Sequence, residues 1–137
     1  MEFGCVSAGC PNHWIRYGKY CYLFVTRYPM EWIDAMTFCK TYGAILAEVK
    51  SSSVNTFLRH EARRLTGIFW LGGSDMFIER SWKWMSSNTR FYYSTWGHGE
   101  PNDSGGEHCV QLHSSFNYAW NDAKCQNRFN FICQKAA

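Results

Sequence analysis

Seven cysteines, at positions 5, 10, 21, 39, 109, 125 and 133 of 137, constrain this chain more than any other feature. None of them forms a C-x-x-C pair. Zinc–thiolate sites draw ligands from cysteines about two to four residues apart, so this spacing argues against a metal–thiolate cluster. Oxidised pairing is the expected alternative, and it places the chain in a secreted, extracellular setting. An odd count also leaves one cysteine over.

The length suits one ordinary domain, long enough to bury a core of its own. Net charge is only +3 and no Lys/Arg run exceeds two residues, so the basic footprint of a nucleic-acid binder is missing. No apolar stretch approaches the roughly 18 residues that a membrane span needs. Met1-Glu2-Phe3 runs directly into polar, cysteine-bearing sequence, an opening expected of a mature chain with a replaced start.

The pattern predicts an α+β fold. Tyr20–Val25 is dense in aromatic and β-branched residues and reads as a strand. From Met30 to Tyr42 the apolar positions Trp32, Ala35, Met36, Cys39 and Tyr42 follow helical spacing, closed by Gly43. A second helix is expected over about 53–65, with Val54, Phe57, Leu58, Ala62 and Leu65 on one face, serine before it and Gly67 after it. Short strand-like runs follow at 69–71, 82–84, 109–112 and 129–132. Between them, residues 86–108 form a long polar stretch of the kind that is functional or disordered. Two helices followed by short strands point to helices segregated from small antiparallel sheets.

Two short segments carry the chemistry. Glu100-Pro101-Asn102-Asp103-Ser104-Gly105-Gly106-Glu107 and Trp120-Asn121-Asp122 together offer Glu100, Asn102, Glu107, Asn121 and Asp122 as hard oxygen ligands, three of them carboxylates. Calcium takes about six to eight oxygens, so this set leaves coordination positions open. A sugar with two neighbouring hydroxyls fits them. Each hydroxyl gives a lone pair to the ion, donates to a carboxylate and accepts from an amide, and Glu beside Asn supplies that acceptor–donor combination.

Trp70-Leu71-Gly72-Gly73, the EPN of Glu100–Asn102, Trp120-Asn121-Asp122 and six cysteines in register resemble a C-type lectin domain of the long form, over Cys10 to Cys133. Within that family the chain most resembles perlucin-like mollusc lectins, in Ser74-Asp75, Glu107-His108-Cys109 and the stretch before Cys125. The resemblance implies a carbohydrate-recognition domain over 10–137, after an extension over 1–9. It implies disulfides Cys10–Cys21, Cys39–Cys133 and Cys109–Cys125, where spacing alone leaves the connectivity open. It implies a principal calcium site of Glu100, Asn102, Glu107, Asn121 and Asp122. Sugar contacts would come from Glu100, Asn102, Glu107 and Asn121, and the Glu100–Pro101 bond would be cis. An auxiliary calcium site would draw on Asp75, Glu79, Asp103 and Glu107, although Arg80 replaces the glycine usual after Glu79. The resemblance implies, from the Glu-then-Asn order, mannose-type sugars (mannose, fucose, glucose, N-acetylglucosamine), since the galactose-preferring pattern in that family reads Gln-Pro-Asp. Glycan recognition in innate defence is the role such a domain suggests.

Blander and rival readings weigh against this one. An isolated Pro-Asn is an ordinary turn. Trp14, Trp32, Trp70, Trp82, Trp84 and Trp120 read as packing, and Trp96 and Tyr118 as structural more than sugar-contacting. His98 and His108 read as bystanders or sugar neighbours, because imidazole suits zinc better than calcium. A glycosidase using Glu100 and Glu107 would need an acid raised by an apolar pocket, among residues that are here Asn, Asp and Gly. No serine stands in a G-x-S-x-G setting, so no enzymatic activity is expected. A biomineral- or protein-binding domain remains the non-sugar alternative. The sequon Asn102-Asp103-Ser104 is expected to stay unmodified, because a glycan would remove a ligand. Cys5, left without a partner, predicts a disulfide-linked homodimer that would raise avidity.

Overall fold

The computed structural model describes residues 9–97, 99–102 and 106–137. Strand β1 (Ile15–Tyr17) forms a hairpin with β2 (Tyr20–Met30), which extends the expected run to eleven residues. Helix α1 (Trp32–Thr41) buries Trp32, Ala35 and Cys39, three members of its apolar stripe, and Gly43 follows it at φ +68. Its first turn starts two residues later than the pattern suggests, because Met30 still pairs with Phe129. Helix α2 (Ser52–Leu65) is capped by Ser51, whose hydroxyl accepts from the Val54 N–H at 3.3 Å.

The remaining strands are β3 (Ile45–Leu46), β4 (Phe69–Ser74), β5 (Lys83–Trp84), β6 (Thr89–Arg90), β7 (Cys109–His113), β8 (Ala119–Ala123) and β9 (Phe129–Ala136). The strands pair antiparallel, as the fold class implies, with β2 on β9, β4 on β5, β4 on β7 and β7 on β8. They are not separate small sheets, because β4 also runs parallel to β9 and joins them into one mixed network. All six residues of β4 are buried. Such a strand shows no alternation, which is why only its first three residues read as a strand from sequence. Its glycines answer to close approach: a Cβ on Gly72 would lie 2.7 Å from the Leu46 carbonyl oxygen, leaving no room for a side chain.

Two hydrophobic clusters fill the interior. One gathers Trp14, Trp32, Ala35, Trp70 and Phe131 around Cys39 and Cys133, and the other gathers Leu58, Phe69, Leu71, Trp84, Trp120 and Ile132. Three of the buried indoles show the acceptors that burial favours. Trp32 donates to Leu71 O, Trp70 to Met30 O and Trp120 to the Asn55 side-chain oxygen. The bonded pairs Cys10–Cys21, Cys39–Cys133 and Cys109–Cys125 are those the resemblance implies. Cys5 lies outside the described residues.

Candidate functional site

Strand β8 and one loop bring the carboxylates together. In the β7–β8 register Gln111 faces Asn121 and Val110 faces Asp122, so the two polar residues after Trp120 stand on a strand anchored by a fully buried tryptophan. The loop from Thr95 is pinned to that strand. Trp120 N–H donates to Thr95 O, Gly97 N–H to Trp120 O, and Glu100 N–H to Gly97 O. The Glu100–Pro101 bond is cis, as expected.

Carboxylate oxygens of Glu100, Glu107 and Asp122 lie within 4.8 Å of one another. Asp122 is fully buried and its Oδ1 accepts from the Asn102 backbone N–H at 3.1 Å. The Asn102 side-chain amide donates to Glu100 Oε2 at 3.1 Å, which ties the two EPN side chains together. Asn121 Nδ2 donates to Gln111 Oε1 at 2.7 Å, which fixes the amide and turns its carbonyl oxygen away from Gln111. Glu100 Oε1 is buried and has no hydrogen-bond partner among the described residues. Burial, then the hydrogen bond and charge of Asp122, push the Glu100 carboxyl up to about 7, and Glu107 adds to the rise. A carboxyl that is partly desolvated beside other acids keeps its proton to higher pH for this reason.

A donor set of carboxylates and amide oxygens, with one carboxylate oxygen buried and unmatched, fits a hard divalent cation. All five residues of the expected principal set therefore lie on the elements that form this cluster. The expected auxiliary set divides differently. Asp75 and Glu79 gather with His108, Glu107 belongs with Glu100 and Asp122, and Asp103 lies outside the described residues. Arg80 adopts φ +65, a conformation natural to glycine, and its backbone N–H donates to Asp75 Oδ2 at 2.9 Å. The substitution thus keeps the turn.

His108 is the residue that sequence reasoning set aside. Its Nδ1 lies 2.9 Å from Asp75 Oδ1, and the signal for it was its place between a ligand candidate and a cysteine. Gln111, the partner of Asn121, carried no sequence signal at all. Tyr118 is buried with the core, and Trp96, partly buried, packs on Trp82 and Trp120. His98 lies outside the described residues.

The description of the lectin C-type domain matches residues 28–135. The chain belongs to the C-type lectin domain family. It is 40% identical to ladderlectin of Oncorhynchus mykiss over 88% of its own length, and 37% identical to perlucin of Haliotis laevigata over 93%. It spans 64% of ladderlectin and 83% of perlucin, and 49% of the CD209 antigen-like protein 2 of Macaca mulatta. Among solved structures, the carbohydrate-recognition domain of the mouse scavenger receptor C-type lectin superposes with a TM-score of 0.86 at 29% identity, covering 93% of this chain and 96% of that one. The cow CD23 domain, solved in the presence of a GlcNAc2Man3 oligosaccharide, gives 0.84 at 35% identity over 93% and 96%. Herring type II antifreeze protein gives 0.85 at 30% over 93% and 99%. C-type lectin domains are in general not enzymes, and the fold also serves proteins whose names concern ice rather than sugar.

Proposed function

We propose that this chain is a calcium-dependent lectin that binds mannose-type sugars through two neighbouring hydroxyls. The observation that carries this reading is the cluster of Glu100, Glu107 and Asp122 with a buried, unmatched Glu100 oxygen. In this reading Glu100, Asn102, Glu107, Asn121 and Asp122 hold the ion. Glu100, Asn102, Glu107 and Asn121 also meet the sugar, whose hydroxyls complete the coordination. The cow CD23 structure, solved with a mannose-containing oligosaccharide, supports the sugar class. The protein is a secreted, extracellular one in this proposal. It recognises glycans in innate defence as a homodimer linked through Cys5.

A raised Glu100 would also suit a general acid, so hydrolysis needs its own answer. The rise comes from burial and from unneutralised neighbouring acids, the condition that a bound cation relieves, and the acids act as ligands rather than as a proton donor and nucleophile. No enzymatic activity is therefore part of the proposal. The antifreeze relatives support one other reading, a fold kept for mineral, ice or protein contact without sugar affinity.

Calorimetric titration with methyl α-mannoside and methyl β-galactoside, in calcium and in excess chelator, tests the proposal. Mannoside binding in calcium only is expected. Binding that survives chelation sinks the mechanism, galactoside ahead of mannoside sinks the sugar class, and no binding of either favours the non-sugar reading.

A further inference from the structure

We propose that Asp75, Glu79 and His108 form a second metal site that selects a transition ion, zinc by preference, over calcium. Their ligand atoms lie within 4.8 Å of one another. Asp75 Oδ1 and His108 Nδ1 stand 2.9 Å apart, and two ligands of a tetrahedral zinc ion, bonded at about 2.0–2.1 Å, lie roughly 3.3 Å apart. A few tenths of an ångström of opening would admit the ion.

The site is built rather than incidental. Asp75 is only 2% exposed, and its second oxygen is held by the Arg80 N–H, which leaves Oδ1 aimed at the imidazole. His108 is held through its backbone. Its carbonyl accepts from the Ser74 hydroxyl at 2.7 Å and from the Asp75 N–H at 3.1 Å. The end of β4 therefore positions both facing ligands, the preorganisation that a metal site requires. A cavity of about 360 Å³, lined by Asp75, Arg80, Trp82, Pro101 and Asn102, opens beside the cluster and gives an ion and its remaining water a way in.

The choice of ion follows from the donors. Calcium asks for about six to eight hard oxygens, and an imidazole in place of a carboxylate removes charge and adds a softer nitrogen. Zinc accepts both carboxylate oxygen and imidazole nitrogen, so two carboxylates, one imidazole and a water can complete a four-coordinate set. The adjacent residues Glu107 and His108 then serve different ions, the first beside Glu100 and Asp122, the second beside Asp75. The inference does not rest on the sugar-binding proposal, and failure of sugar binding leaves it standing.

The experiment titrates zinc chloride, and separately cobalt chloride, into the full chain kept saturated with calcium, with Cys5 alkylated to exclude its thiol. One equivalent of zinc, and the visible absorption of four-coordinate cobalt, are expected in wild type. His108→Gln and Asp75→Asn should each weaken zinc at least tenfold, with thermal unfolding in chelator confirming that the variants fold. Zinc affinity unchanged in both variants would place the ion elsewhere and overturn the proposal. So would zinc that binds only when calcium is withdrawn, or calcium that fills the cluster and excludes zinc.

Discussion

The two halves of this molecule are held by opposite means. The half built from β1, β2, β9 and the helices closes on itself, with Leu46, Leu58, Phe131 and Ile132 fully buried and the Cys39–Cys133 bond crossing between α1 and β9. The half between β4 and β7 has only two-residue strands, exposes Phe77 to 81% and Tyr92 to 88%, and brings Glu100 and Glu107 against Asp122 of β8. Apolar burial stabilises the first whatever the solvent contains. The second gathers like charges that destabilise it until something positive arrives. Its stability is therefore conditional, and in the proposed reading the condition is the ligand ion itself.

The cysteines offer the largest test of that difference. Cys39 and Cys133 close a separation of 94 residues, Cys109 and Cys125 one of 16. Loop-closure entropy assigns about 4.7 kcal/mol to the first and about 3 kcal/mol to the second. Urea unfolding in chelator should show the double alanine variant of the first pair as the more damaged. Loss of the second should be felt more in sugar binding than in the unfolding midpoint, because that bond braces the end of β8 beside Asp122. The reverse ranking would mean that the two halves do not divide the work this way.

Next in size is Asp122→Asn. It should lower calcium-dependent sugar affinity by about 100-fold or more, yet in chelator the variant should unfold no earlier than wild type, since one buried like charge has gone. A core truncation such as Leu58→Ala, by contrast, should cost about 2–5 kcal/mol with or without calcium. Paired melting curves with and without calcium separate the two patterns. An Asp122→Asn variant that melts early in chelator would show the carboxylate to be structural instead.

Acid gives a smaller effect of defined sign. The Glu100 carboxyl, raised from 4.5 to about 7, binds more protons folded than unfolded between those values. In chelator the protein should therefore lose stability as pH rises from about 4.5 to about 7. Calcium should cancel that loss, because it replaces the protons, and calcium affinity should fall as pH drops below about 7. Melting temperature against pH, with and without calcium, reads both slopes. Parallel curves would separate Glu100 from the ion site.

The same division decides what could be read from the sequence. Both helices were legible because their apolar stripes recur at helical spacing and Ser51 and Gly43 mark their ends. The segments of the candidate site stood out because carboxylates and amides cluster in two short runs that fit one family pattern. The parallel contact of β4 with β9 was not, since a strand buried on every residue carries no period and its partner lies about 60 positions away. Nor was the place of His108. Its alignment with Asp75 depends on how β4 and the start of β7 are joined by Ser74 Oγ and Asp75 N, a tertiary contact that no local pattern encodes.

The smallest expected effect lies on the boundary between the halves. Gln111 is buried on β7, and its Oε1 holds the Asn121 amide while its Nε2 has no partner among the described residues. Gln111→Met keeps the length, removes the unmatched donor and leaves Asn121 Nδ2 without its acceptor. Those two changes oppose each other in stability, so the unfolding free energy should move by less than about 1 kcal/mol. Binding has no such compensation. Asn121 is proposed to face the ion and sugar with its oxygen, and a free amide samples both orientations. Residues that orient a metal ligand cost about 10- to 100-fold when removed, and the low end is expected where only one of five ligands is loosened. Sugar titration of Gln111→Met in saturating calcium should therefore show about tenfold weaker binding on an intact fold. Gln111→Glu, which restores an acceptor at the same reach, should recover most of it. Unchanged binding in Gln111→Met would remove Asn121 from the site, and an unfolded variant would assign Gln111 to the core instead.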